Sequence, residues 1–563
     1  RAGALSVSVN GSLVVKNTTN NAAVSGMNYR LGGFIGYVQD MEQSTVISFE
    51  GCVNHANVTG SKNYVGGFVG YIGFNTDITI NISNSINNGN VTGSQRCVGG
   101  FVGLIYNNAN MTVAISNTIN NGKVAASREV GGFVGDINSN TNMTIITSNS
   151  TNNEIVTGGS YVGGLVGYVW NNTNITMTIA ETINNGKVTG GYGYVGGIIG
   201  FIMVNKRIAV IISNSINTAI TTTSESFAGG LVGSIGGNQN IAITISNFTN
   251  NGTVTKSLTH AGGFVGDIQQ NSYVDITIFN SINNGNVSGK HHNAGGFIGV
   301  ANANDKISMV TFNSSNNGIV SVDEDNAGGF IGNIDKNAMM TMAFFNSTNN
   351  AIVTGKNYVG GFVGNIVSSS QARYLISDFM NSANKGSVSA AQSMACGFVC
   401  VYPIDNNNVT TTMKNIINKG SVNAGKNGYG ITNNITEARN VVSMGDVTGS
   451  SGSYTFWDAS TDVELLYGLN HRCFNCGDYA TLFQHKRTTG FYEVVGSGNH
   501  VDDLLNHESV KQHFCMVWTK ELELVYSETE HCGSLSSTTL QALSPTAILF
   551  ALLVCFFELL RQF

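Results

Sequence analysis

The chain of 563 residues holds 70 Gly, 74 Asn and 2 Pro, and only 11% of it is charged, with a formal net charge of −6. Little charge beside 42% apolar residues excludes a disordered polyampholyte, and the lack of a basic run excludes a nucleic-acid reader. Few prolines and no three-residue glycine period exclude collagen, and 9 Cys are too few for a disulfide-dense scaffold.

The chain starts at Arg1 without Met or a secretory signal, which reads as a processed or partial sequence. From there a repeat dominates. The string Gly-Gly-Phe-Val-Gly or a close variant starts at Gly32, Gly66, Gly99, Gly131, Gly163, Gly196, Gly229, Gly262, Gly295, Gly328 and Gly360. A damaged copy follows at Cys396-Gly397-Phe398-Val399-Cys400. A second box, Asn-Asn-Gly-x-Val-Thr-Gly, keeps the same period, and its first Asn recurs without substitution from Asn20 and Asn54 to Asn384 and Asn418.

Each repeat contains three strand-like runs, in the clearest copy Tyr64 to Ile72, Asp77 to Ile86 and Asn90 to Thr92. In the middle run Ile78, Ile80 and Ile82 alternate with Thr79, Asn81 and Ser83, the period of a half-buried strand. No repeat has a helical pattern. Three short strands in about 33 residues are too few for a propeller blade and suit one coil of a parallel β-solenoid, here about 13 coils. Gly66 and Gly70 are expected to make room for the Phe68 ring.

A further column lies three residues before the invariant Asn. It comprises Asn84, Asn117, Asn149, Asn214, Asn247, Asn280, Asn313, Asn346, Asn381 and Asn415, with Asn17, Gly51 and Glu181 completing it. Strand parity with Ile82 places these side chains inside, where identical amides on successive coils could bond one another. The invariant Asn column then falls at a turn. Sequons at Asn57, Asn81, Asn90, Asn110, Asn142, Asn174, Asn286 and Asn408 have outward parity and are glycosylation candidates. Those at Asn149, Asn247, Asn313 and Asn346 lie in the inward column and are expected to stay bare.

Gly164-Leu165-Val166-Gly167 and Gly230-Leu231-Val232-Gly233 resemble the GLUG motif of bacterial and protist surface proteins. Most copies carry Phe or Ile in place of Leu, and the resemblance covers about residues 1–449. It implies an adhesin-like extracellular protein with a β-solenoid stalk, and it supplies no catalytic residues.

Near residue 451 the composition changes, and residues 451–532 are read as a separate module. Cys473, Cys476, Cys515 and Cys532 lack the second close pair of a zinc ribbon and are read as disulfide formers of open connectivity. Cys396 and Cys400 are candidates for another bridge. Residues 533–545 form a small-residue and polar linker with Ser534 and Ser536 as candidate lipid-attachment sites, followed by an apolar tail over 546–563. This order resembles a GPI-attachment signal, and a single membrane span is the alternative. Either places the protein on the outer face of the plasma membrane, with glycans or proteins of a host cell or matrix as possible partners and no nucleic acid.

For catalysis, the position after each glycine box brings only Asp136 and Asp267, four coils apart, and the loops Lys290-His291-His292 and Asp323-Glu324-Asp325 read as solvated. No metal, cofactor or catalytic set is expected. The runner-up reading is a carbohydrate-active β-helix, which needs carboxylates clustered on neighbouring coils.

Overall fold

The computed structural model describes residues 12–454 apart from 28, 43, 226, 258, 368–373, 403–408, 434–435 and 444, together with the backbone of four later strands. It is an all-β parallel solenoid in which each repeat forms one coil, and no helix occurs among the described residues. Two compact units divide the chain, 1–494 and 495–563. In the second, the described strands Met516–Trp518 and Leu524–Tyr526 pair antiparallel.

One coil shows how the sequence sets the path. It runs through Val65–Gly66, Val69–Gly73, Thr79–Ser83, Ile86–Asn87 and Val91–Gly93. The three sequence runs thus become five short strands. The first run breaks because it folds back at Gly67 and Phe68, and the second breaks at Asn84, which takes the left-handed conformation (φ 50°). Each strand pairs in parallel with its equivalent one repeat on, as in Val69↔Val102 and Tyr71↔Leu104. Stacking gives a 12-stranded sheet from the Val69–Gly73 position and two 14-stranded sheets from the Val65–Gly66 and Val91–Gly93 positions. The two middle strands join a fourth, longer sheet. Stack height is roughly 60 Å at one strand spacing per coil. The ladder outlasts the change in composition: Gly452–Tyr454 and Val463–Leu469 still pair in parallel with earlier strands.

The fold-back divides the interior in two. The main core sits between the Val69–Gly73 and Thr79–Ser83 sheets and holds Phe68, Val69, Ile72, Ile78, Ile80 and Ile82 with their equivalents. Its phenylalanines stack through successive coils, Phe68 on Phe101 and Phe101 on Phe133, with ring centroids 4.9 and 5.1 Å apart. A narrower core of Val58, Val65, Val91 and Val98 lies between the other two sheets. Phe68 and Val69 therefore share a core while Val65 belongs to the other, contrary to simple alternation. Nor do the glycines make room for the ring. A Cβ on Gly66 would lie 2.0 Å from Val69 O, and one on Gly70 2.5 Å from Leu31 O, so backbone closeness at the bend is what demands glycine.

The asparagine columns exchange the roles expected of them. The column from Asn84 to Asn415 is a turn: Asn84, Asn117, Asn149, Asn214, Asn247, Asn280, Asn313, Asn346, Asn381 and Asn415 all have positive φ. Asn84 and Asn247 are exposed, and amides such as Asn149 Nδ2 to Asn117 Oδ1 (2.6 Å) bond on the surface. The left-handed residue resets the alternation, so Ser85 turns inward and the invariant Asn after it points into the coil. From Asn20 to Asn418 each invariant Asn donates Nδ2 to Oδ1 of the next coil's Asn at 2.7–3.0 Å. The second proton commonly goes to the carbonyl two residues on, as from Asn87 to Gly89 (2.9 Å). The ladder separates the two cores and abuts the bend: a Cβ on Gly67 would meet Asn87 Oδ1 at 2.7 Å.

A second buried ladder was not anticipated. Asn75, Asn108, Asn140, Asn172, Asn205, Asn238, Asn271 and Asn304 each donate Nδ2 to the next Oδ1 at 2.8–3.0 Å, the last to Asn337. Their spacing of 32 or 33 residues was the available signal. Cys396 and Cys400 form a disulfide. Cys473, Cys476, Cys515, Cys532, Ser534, Ser536 and the apolar tail lie outside the described residues. Among the described residues, no helix is long and apolar enough to cross a membrane.

Candidate functional site

Chemistry-bearing side chains gather along one outer file, beside the fold-back. Residues seven apart in sequence meet there because the bend returns the chain beside itself. One column is Tyr64, Cys97, Glu129, Tyr161, Tyr194, Phe227 and His260, and the other is Tyr71, Leu104, Asp136, Tyr168, Phe201, Ser234 and Asp267. Tyr64, Cys97, Glu129 and Tyr161 adopt positive φ and are skipped in the strand register (Arg96↔Arg128, Val98↔Val130), so their side chains swing out over the second column. Ring centroids confirm the contact at 5.6 Å for Tyr64–Tyr71 and 3.9 Å for Tyr194–Phe201. The second column faces outward from its sheet yet is covered: Tyr71, Leu104, Asp136, Phe201, Ser234 and Asp267 are all buried.

Two titratable clusters lie in this file. In the first, Glu129 and Asp136 sit in one coil, both fully buried. Arg96, one coil earlier, reaches Glu129 through Nε at 3.2 Å and through its terminal nitrogen at 3.3 Å, and Arg128 approaches the same carboxylate at 3.6 Å. Asp136 has no such cation. Its Oδ2 accepts the Cys97 thiol at 3.6 Å, and its Oδ1 is buried without a partner. Burial, then the neighbouring Glu129 charge, pushes the Asp136 carboxyl up to about 7. Burial raises Glu129 too, opposed by Arg96 and Arg128, and raises the Cys97 thiol.

In the second, Asp267 accepts the Ser234 hydroxyl at 3.2 Å, and burial pushes it up to about 7. His260 lies across the bend in the same coil, stacked on Phe227 and tilted against His292. Burial and His292 push it down to about 3. Ser234 bonds the carboxylate rather than an imidazole, so this is not the arrangement that activates a hydroxyl.

Sequence reasoning found Asp136 and Asp267 but missed Glu129 as a neighbour, because seven residues span about 23 Å in an unbroken strand. It also missed that the two polar loops face each other. His291 Nδ1 lies 2.8 Å from Glu324 Oε2, and His292 Nδ1 lies 3.7 Å from Asp325 Oδ2, linking adjacent coils. Among the described residues, no group of three or more His, Cys, Asp or Glu could hold a metal ion.

Of the sequon residues, Asn57, Asn90, Asn110, Asn142, Asn174 and Asn286 are exposed and Asn81 is half-buried on the outer face, while Asn408 lies outside the described residues. Asn149, Asn247, Asn313 and Asn346, expected inside, are exposed as well. Neither buried ladder contains a sequon. No family model matches the chain, and no curated protein or solved structure matches it.

Proposed function

We propose that this chain is the membrane-anchored, extracellular stalk of a surface protein, adhesive or structural in role, in keeping with its GLUG-like repeats. The observation that carries this reading is the continuous solenoid. Its repeated polar side chains are spent on coil-to-coil amide ladders, and its sequons all face outward wherever the side chain is described. The GPI-like tail and the sequons suit the outer face of a plasma membrane, and glycans or proteins of a host cell or matrix are the fitting partners. Phosphatidylinositol-specific phospholipase should release the protein from intact cells. The released ectodomain should then bind a subset of cells or glycans. Retention on the membrane with Phe563 still attached would replace the lipid anchor by a span, and no binding to any surface would leave the structural role alone.

A carbohydrate-active β-helix is favoured by one observation, the clustering of Glu129, Asp136, Arg96 and Arg128. A general acid must reach the bond it cleaves, however, and both carboxylates are sealed beneath neighbouring side chains.

A further inference from the structure

We propose that Glu129 and Asp136 form a proton-dependent joint in the solenoid, closed while Asp136 carries its proton and prone to local opening when it does not. Such a joint does not depend on the stalk role.

The geometry makes the two carboxyls unequal. Glu129 takes both guanidinium groups, so its charge is compensated. Asp136 lies between Leu104 of the preceding coil and Tyr168 of the following one, its two partners in the sheet. The groups that face it are Glu129, Arg96, Cys97, Asn138 and the ring-bearing Tyr64 and Tyr168. Only Arg96 among them is cationic, and it is bonded to Glu129. A charged Asp136 would thus be a second buried carboxylate with no cation of its own, eased only by the Cys97 thiol and the Asn138 amide, a form that burial penalises. A neutral carboxyl has no such penalty.

The direction with pH follows from linkage. The folded carboxyl is raised, to about 7, while an opened chain has the ordinary aspartate value of about 3.9. Between these limits the closed coil holds a proton that the open coil releases. Closure is therefore strongest below about pH 4, weakens as pH rises through the interval, and levels off above about 7. The opening constant should rise on the order of tenfold per pH unit within that window.

Cys97 is a built-in reporter, because it is buried against Asp136 and a free thiol. Cys52 is a second buried free thiol, three coils before Asp136 and two before Cys97. The test labels full-length protein with a dipyridyl disulfide between pH 5 and 8 and reads each cysteine by peptide mass spectrometry. In the wild type the Cys97-to-Cys52 labelling ratio should rise at least tenfold between pH 5 and 7 and then flatten. In Asp136→Asn, which keeps a neutral side chain of the same shape, the ratio should stay flat. A flat wild-type ratio, or the same rise in Asp136→Asn, would overturn the proposal. Should the variant not fold, hydrogen exchange over residues 96–104 of the wild type, corrected for its intrinsic pH dependence, must show the same rise and plateau or the joint does not exist.

Discussion

An asparagine amide carries two donor hydrogens and two acceptor sites, and burying it is costly unless they are used. One strand spacing between identical side chains lets each amide donate upward and accept from below, so a repeat converts a liability into a register lock. Asn217 illustrates the consequence for a single side chain. It donates to Asn250 and accepts from Asn184. Asn217→Leu leaves Asn184 without its acceptor and Asn250 without its donor, and should destabilise by about 1–3 kcal/mol. Three residues earlier, Asn214 is exposed with φ 48°. There Asn214→Gly suits the backbone and should change stability by less than about 0.5 kcal/mol. Urea midpoints for the two variants measure the difference, and equal shifts would mean that the ladder is not the buried column. Both columns were visible in the sequence, but which faced inward was not. Parity counting assumes an unbroken strand, and one left-handed residue at Asn84 inverts it.

At the scale of the element, the glycine box is a bend rather than a strand. Gly230 shows why: an added Cβ would sit 2.2 Å from Gly263 O and 2.6 Å from the Asn250 amide. Main chain cannot retreat as a side chain can, so Gly230→Ala should cost ~3 kcal/mol or more. At Gly191 an added Cβ finds nothing nearer than 3.6 Å, and Gly191→Ala should stay within about 0.5 kcal/mol in the same thermal or urea unfolding experiment. A comparable loss in both would mean that backbone entropy, not the bend, sets the glycine requirement. The period, the strand content and the parallel stacking were legible because they rest on repetition and alternation. The bend was not, since Val-Gly-Gly-Phe-Val reads as a continuous apolar run. Without the bend, the pairing of Glu129 with Asp136 and of His260 with Asp267 is invisible, because it depends wholly on the chain turning back on itself.

At the scale of the whole solenoid, each coil touches chiefly its neighbours, so stability accumulates coil by coil and the repeat length is the unit that must be preserved. Phe, Val and Asn columns all keep step because one circuit of 32 to 36 residues, most often 33, brings each back into line. A slip of one residue would send core side chains to solvent and ladder amides out of line. The most direct measurement compares two deletions by urea unfolding. Removing residues 218–250, 33 in all, joins Asn217 to Asn251 and restores every column one coil lower. Removing residues 218–251 shifts the junction by one. The first protein should unfold cooperatively near the wild-type midpoint, and the second should lose cooperativity or fold only in part. Equal unfolding of the two deletions, or loss of folding in the first, would contradict a solenoid in which one repeat is one coil.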